Sequence, residues 1–389
     1  MSGVELTTSQ RLALSALEGG ENVFLTGGAG TGKSFLIKQF LSAHKGSKIS
    51  ILASTGAAAI LVGGRTFHSF FGLGIMQGGA SAVLQKARDN RRLKKRLRDS
   101  SILIIDEVSM LSREAFDCAE LVARTLREVD EPWGGLRLVV VGDFAQLPPV
   151  SQGFAKNKDW AFLGNAWAQS GFLKFELTEF VRTEEADFLE VLKDVRNGEL
   201  TERVEEFLES RVVEEMDGDV PHLFSRRDQT ERFNLSRLAE IDDESRIYET
   251  KYIGESRYFD QLKRDAPIPE MMELKRGALV MLRMNDPKQR FVNGTLAHIR
   301  SMGDDYLVVE TATRSLEIEP FSFSYVDADG NEAAHAINFP ISLAYASTIH
   351  KIQGSTLDRA HIDLGNLWEP GQAYVALSRV RRAKDMSLM

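Results

Sequence analysis

Three short strings in this 389-residue chain place glycine, lysine, carboxylates and an amide at spacings suited to phosphate chemistry. Gly27, Gly28, Ala29, Gly30, Thr31, Gly32, Lys33 and Ser34 spell G-x-x-x-x-G-K-S. Glycines let successive backbone N–H groups curl toward phosphate oxygens, and a following helix adds the positive end of its dipole. Lys33 reaches toward β- and γ-phosphates, and the Ser34 hydroxyl suits Mg²⁺. Asp106 and Glu107 follow the apolar run in SILIIDEVSM. One carboxylate holds the cation, through water, and the other polarises the attacking water. Gln146, in VGDFAQLPPV, is placed to sense the γ-phosphate or that water. Together they predict a nucleoside triphosphatase that uses Mg²⁺.

Such residues need strand ends to hold them. Asn22–Leu25, Ile49–Ala53, Ser101–Ile105 and Leu136–Val141 are apolar on both faces, which predicts strands of a covered parallel sheet. Helical periodicity falls between and after them, at Ser9–Leu17, Lys33–Ser42 and Ser112–Val129. This alternation predicts α/β layers, with ligands at the carboxyl ends of the strands. A second α/β cycle is expected from Phe172–Leu177, with helices at Glu184–Arg196 and Asp228–Ile241, a strand at Ile362–Leu364 and a helix at Gln372–Arg382. Residues 266–338 instead alternate over short runs broken by Asn-Gly and Gly-Asp, predicting a small β module inserted in that cycle.

Composition narrows the class. Hydrophobic residues make up 43% of the chain, enough for ordinary cores, and 48 basic against 56 acidic side chains leave a net charge of −8. That excludes a disordered acidic chain and a uniformly basic nucleic-acid coat. The lone Cys118 permits neither an internal disulfide nor a cysteine metal cluster. No apolar run reaches the ~18 residues of a membrane span. The amino terminus lacks the pattern of a secretory signal. A soluble multi-domain protein of a reducing compartment is expected. Lys86–Arg98, KARDNRRLKKRLR, holds eight basic residues and one acidic residue, so the rest of the chain carries −8 − 7 = −15. A solvated helix face and a DNA-backbone contact are both open readings of this segment.

The strings resemble the petite-integration-frequency (Pif) family of superfamily-one DNA helicases, relatives of RecD, over nearly the whole chain and in family order. Besides the three above, the resemblance is carried by STGAAA (Ser54–Ala59), GRTFHSFFG (Gly64–Gly72), LTEFVR (Leu177–Arg182), STIHKIQGSTL (Ser347–Leu357) and YVALSRV (Tyr374–Val380). It implies an α/β fold of two RecA-like P-loop domains, parallel sheets flanked by helices, with a wedge insertion in the first and an SH3-like β insertion in the second. The expected ranges are 1–63 and 100–170 for the first domain, 64–99 for the basic wedge, 171–265 and 338–389 for the second domain, and 266–337 for the β insertion. By the same resemblance Gln10 bonds adenine, Arg182 and Arg379 meet the γ-phosphate, and Gln353 and Gly354 couple ATP to DNA. FVRT departs from the family's usual pattern around its arginine, which leaves the local contacts of Arg182 open.

For DNA, Thr55, Thr66, His68, Thr348, His350 and Lys351 lie in strings that line the strand groove in the family. Hydroxyl, imidazole and ammonium groups bond phosphates without reading sequence. Phe67, Phe70 and Phe71 are open to two readings, base stacking and core packing. Arg91, Arg92 and Lys95 are expected to meet DNA backbone near the fork. The resemblance implies 5′→3′ movement on single-stranded DNA, unwinding of forked duplex, action as a monomer, and a cytoplasmic (nucleoid) location if the source is bacterial or viral. A nuclease motor subunit and an ATPase that remodels protein–DNA complexes are the alternatives.

Overall fold

The computed structural model describes residues 6–389 apart from 45, 47, 56, 57, 60–63, 75, 77, 150–157, 181–184, 214–218, 267, 285, 287, 289 and 327–331. Two compact units divide near residue 183. The first is built on a parallel sheet of β1 (Val23–Gly27), β2 (Ile49–Ala53), β3 (Arg65–Thr66), β4 (Ile102–Asp106), β5 (Arg137–Val141) and β6 (Leu173–Leu177), in the order β3-β2-β4-β5-β1-β6. Strand side chains alternate between faces, so each strand feeds two cores. Ile104, Val139 and Val141 meet Ala13 and Leu17 of α1 (Thr8–Glu18) and Leu36 and Phe40 of α2 (Lys33–Ala43). Leu103, Ile105, Leu138 and Val140 join the other core.

That second core takes in the segment expected as a basic insertion. Residues 64–99 are continuous with the first unit: Arg65 and Thr66 form the edge strand of the sheet, and three helices follow it. These are α3 (Phe67–Phe71), α4 (Gly79–Arg88) and α5 (Arg91–Asp99). Their apolar faces, including Val83, Ala87, Leu93 and Leu97, share one core with α6 (Arg113–Arg127). Phe67, Phe70 and Phe71 are at most 1% exposed, with the Phe67 ring stacked 6.0 Å from Phe116. The base-stacking reading of Phe70 is therefore withdrawn: its ring is sealed in the core, with the Arg96 guanidinium 5.2 Å above it. The domain boundary at 170/171 moves as well, because β6 pairs in parallel with β1 and belongs to the first unit.

In the second unit α7 (Ala186–Asn197) precedes a parallel sheet formed by β7 (His222–Phe224), β8 (Ala346–Thr348), β9 (Ala360–Ile362) and β10 (Met386–Leu388), in the order β8-β7-β9-β10. Helix α8 (Arg227–Ala239) follows β7, and α9 (Gln372–Leu377) precedes β10. The antiparallel part is wider than residues 266–337. Its five-stranded sheet runs Ser315–Ile318, Leu307–Glu310, Leu296–Met302, Leu279–Leu282, Ile341–Leu343. Arg246–Glu249 pairs with Met271–Leu274, and Lys251–Gly254 with Glu332–Asn338. Asn293-Gly294 makes an expected turn, with Gly294 at φ +97°. No described helix is long and apolar enough to cross a membrane.

Candidate nucleotide and nucleic-acid sites

Strand order brings the three chemical strings together. β4, β5 and β1 are neighbours, so the carboxyl ends that deliver Asp106, the turn after Val141 and the glycine loop stand side by side. Gly27 and Gly30 have φ of +145° and +86°, and Gly32 caps α2 at φ +92°. No side chain caps that helix, which leaves its first N–H groups for an external acceptor. Lys33 Nζ donates to the carbonyls of Gly27 at 2.7 Å and Gly28 at 3.0 Å. The Thr31 hydroxyl donates to Gly28 O at 2.9 Å and tightens the loop. Ser34 is exposed in the first turn of α2, where its hydroxyl is accessible. Gln10 is 2% exposed and ties α1 to the loop, its Nε2 donating to Thr31 O at 3.0 Å while its Oε1 accepts from the Thr7 N–H.

Glu107 sits at φ +53°, a left-handed conformation that a non-glycine residue rarely adopts. Its N–H donates to Asp106 Oδ1 at 2.9 Å, so the strained turn fixes the neighbouring carboxylate. Part of Asp106 reaches solvent, but its carboxyl lies deep among protein atoms. Burial first, then the Glu107 carboxylate, pushes it up to about 7, against the pull of the Glu107 N–H and Lys33. A bound cation would reverse that balance. Gly142 joins the strings: its N–H donates to Leu25 O at 3.2 Å, and a Cβ there would lie 3.0 Å from the Val108 nitrogen and Cγ1. Gln146 is buried beside it, its N–H donating to Asp143 O at 2.9 Å.

The remaining residues divide by unit. Thr55 and Thr66 act as local caps, accepting from the N–H groups of Ala58 and Ser69 at 3.2 Å. Each keeps its own O–H to donate. Burial lowers the pKa of His68, so at neutral pH the imidazole is uncharged and can meet a phosphate only by hydrogen bonding. Arg91, Arg92 and Lys95 are exposed on α5, opposite buried Leu93 and Leu97. In the second unit Thr348 is 7% exposed, and its hydroxyl oxygen accepts from the Lys351 N–H at 3.3 Å. His350 Nε2 faces Glu369 Oε2 at 3.5 Å. Burial, then the nearby Arg283 and Arg227, lowers the pKa of Lys351. Arg379 is 1% exposed, with Nε on Val375 O at 2.7 Å, Nη1 on Ser355 O at 3.2 Å and Nη2 on Ser378 Oγ at 2.7 Å. It thereby holds the turn of Gln353 and Gly354, in which Gly354 has φ +77°. Arg182 lies outside the described residues. Two residues that no motif singled out stand near these groups: Arg283, which follows an apolar strand, and Trp368, which lies in a loop.

A parallel sheet with a glycine loop on one strand end and a carboxylate pair two strands away defines a phosphate-loop nucleoside triphosphatase. Comparison with known proteins narrows this. The family profile described as PIF1-like helicase matches residues 5–206. The ATP-dependent DNA helicase Pif1 of Bdellovibrio bacteriovorus is 49% identical over 389 residues, covering 99% of this chain and 88% of that protein. The Xenopus laevis ATP-dependent DNA helicase PIF1 is 34% identical, and there this chain spans 61% of the relative's length. Among solved structures, Bacteroides Pif1 in complex with ADP-AlF4 superposes with a TM-score of 0.85 at 28% identity, covering 99% of this chain and 92% of that one. Candida albicans Pif1 gives 0.82 at 30% identity, covering 100% and 95%. The chain belongs to the PIF1-like helicase family.

Proposed function

We propose that this chain is an ATP-driven DNA helicase that moves 5′→3′ along single-stranded DNA and separates the duplex ahead of it. The observation that carries the reading is the convergence of Lys33, the Asp106–Glu107 pair and Gln146 on adjacent strand ends, in a chain of this family. In support, Pif1 of Bacteroides is described bound to single-stranded DNA, with a TM-score of 0.71 to this chain.

The loop fits a triphosphate: three left-handed glycines, an uncapped helix start and a lysine resting on carbonyls that phosphate oxygens can outbid. Lys33 would then transfer its donors to the β- and γ-phosphates. Among the described residues no three His, Cys, Asp or Glu side chains cluster as a metal site. A cation with few protein ligands suits Mg²⁺, which keeps its waters and uses substrate phosphates. Ser34 and Asp106 would hold it, and it would supply charge neutralisation to the transferring phosphoryl group. Glu107 orients and deprotonates the attacking water, and Gln146 holds that water in line. Gln10 stands ready at the adenine side of the loop, and Arg182 and Arg379 are assigned to charge on the γ-phosphate. Gln353 and Gly354 are assigned to coupling, and Thr55, Thr66, His68, Arg91, Arg92, Lys95, Thr348, His350 and Lys351 to DNA phosphates. We take the monomer as the working unit, although one solved structure is described as DNA unwinding at forked duplex by two coordinating Pif1 helicases.

Forked duplexes with only a 5′ or only a 3′ tail, with and without ATP, test the reading. Unwinding from the 5′ tail alone, abolished by Lys33→Ala, is the expected result. Unwinding only from the 3′ tail refutes the direction, and strand cleavage or DNA-independent ATPase without unwinding refutes the helicase reading. A rate linear in protein concentration supports the monomer.

A further inference from the structure

Trp368 is 46% exposed although it is the largest side chain in its loop, and the fold holds it there firmly. Its N–H donates to Gln372 Oε1 at 2.8 Å, and the indole Nε1 donates to Ser225 O at 3.4 Å. The Ser225 hydroxyl in turn donates to Asn366 O at 2.7 Å, pinning the loop to the end of β7. Gln372, 0% exposed, also accepts from the Glu369 N–H at 3.2 Å. The His350 ring lies 5.6 Å from the indole at an interplanar angle of 19°, a stacked pair. Glu369, whose side chain is 3% exposed, stands 3.5 Å from the same imidazole and sets its orientation. Lys351 is the next residue along the chain, and Thr348 precedes by two.

A large aromatic face left in water is unfavourable unless something covers it. Here it is preorganised at both its backbone and its ring, and it continues the ring of a residue already assigned to the DNA strand. Rigid aromatic faces beside cations are how single strands are held without reading sequence, because every base has a π-face. We infer that Trp368, stacked on His350, is a platform for one nucleobase of the bound single strand, with Lys351 and Thr348 beside it for the flanking phosphate. This inference rests on the single-stranded DNA reading above. It makes Trp368 a DNA-binding residue of a different kind from the phosphate contacts.

The test is equilibrium binding of the full chain, by fluorescence anisotropy, to an oligothymidylate of about twelve nucleotides and to an abasic strand of equal length. Removing the bases should weaken the unsubstituted protein roughly tenfold, or about 1.4 kcal/mol. Trp368→Ala should bind the oligothymidylate roughly tenfold more weakly and should bind both strands alike. Trp368→Phe, which keeps a ring, should recover most of the difference. Oligothymidylate should also quench tryptophan emission in the unsubstituted protein, and quench it less in Trp368→Phe. Equal weakening of both strands by Trp368→Ala would reduce the residue to a structural part, and no weakening of either would make it a bystander. Unchanged DNA affinity with weakened ATP-analogue binding would make the adenine ring its occupant and overturn the inference. If the unsubstituted protein binds neither strand, the DNA reading itself fails and takes this one with it.

Discussion

Neutralising Arg91, Arg92 and Lys95 to alanine tests whether the basic helix α5 meets the DNA backbone. Six of the eight cations of Lys86–Arg98 divide by their surroundings. Lys94 and Arg98 both pair with Glu128, Arg98 at 3.3 Å. Arg96 is engaged inward, its Nε on Phe70 O at 3.0 Å. Arg91, Arg92 and Lys95 project to solvent, so their loss leaves the apolar face of α5 intact and should move the melting temperature by no more than about 2 °C. Each duplex phosphate neutralised contributes about 0.9 to the slope of log K against log salt, so three contacts contribute about 2.7. Between about 50 and about 200 mM salt that amounts to roughly a 40-fold difference. The deficit of the triple variant on a labelled fork should therefore be roughly 40-fold larger at the lower salt. Lys94→Ala with Arg98→Ala, which removes cations already held by Glu128, should change the slope by less than about 1. Parallel log–log lines for the triple variant and the unsubstituted protein would refute the contact. An equal change on single-stranded DNA lacking a duplex would refute its placement at the fork.

Three further outcomes follow from the geometry. Gly142→Ala should press a methyl group onto the Val108–Ser109 turn, lowering kcat for ATP roughly tenfold with little change in KM, as single-turnover kinetics would show. Burial, then the adjacent His361 and, further out, Arg237, hold the His222 pKa at about 4 against an ordinary 6.5. The unfolded chain takes up that proton first, so stability is complete above about pH 6.5 and falls as pH drops toward 4. The loss should be about 1–3 kcal/mol after allowance for partial solvent access, read as a melting-temperature decrease that His222→Leu flattens. Arg379→Lys keeps the charge but loses the forked donors, and in DNA-stimulated ATPase assays it should be nearly as defective as Arg379→Ala.

Much of the fold was legible because buried parallel strands are apolar on both faces. Ile49–Ala53 falls where expected, and Ile102–Asp106 differs from its expected range by one residue. In the sequence β6 looks like the start of the second cycle, because LKFEL mixes charge with apolar residues and only its register against β1 reveals its sheet. The three phenylalanines of α3 carried no signal to separate stacking from core packing, since that depends on α6 arriving above them. The side chains of the nucleotide site were read from their types, but the strain at Glu107 and the close approach at Gly142 are backbone properties that no residue type announces. Trp368 carries no signal in the sequence, because a lone aromatic in a loop has no periodicity. The helix expected to run to Arg382 stops at Leu377, where the chain turns so that Arg379 can reach back to Val375 O and across to Ser355 O.

That turn bears on how the arginine can work. A guanidinium at 1% exposure would be costly to bury without acceptors, and carbonyls of Val375, Ile352 and Ser355 with the Ser378 hydroxyl supply them. Two of these carbonyls flank Gln353 and Gly354, so the arginine and this turn are held in one hydrogen-bonded unit. An Arg379 that swings toward a phosphate must release Ile352 and Ser355, and the turn, with Gly354 already in a left-handed conformation, is then free to take another shape. An Arg379 that stays must act through the position of the turn. On the roles proposed above, a change of shape at this turn would reach His350 and Lys351, which precede Gln353 by three and two residues.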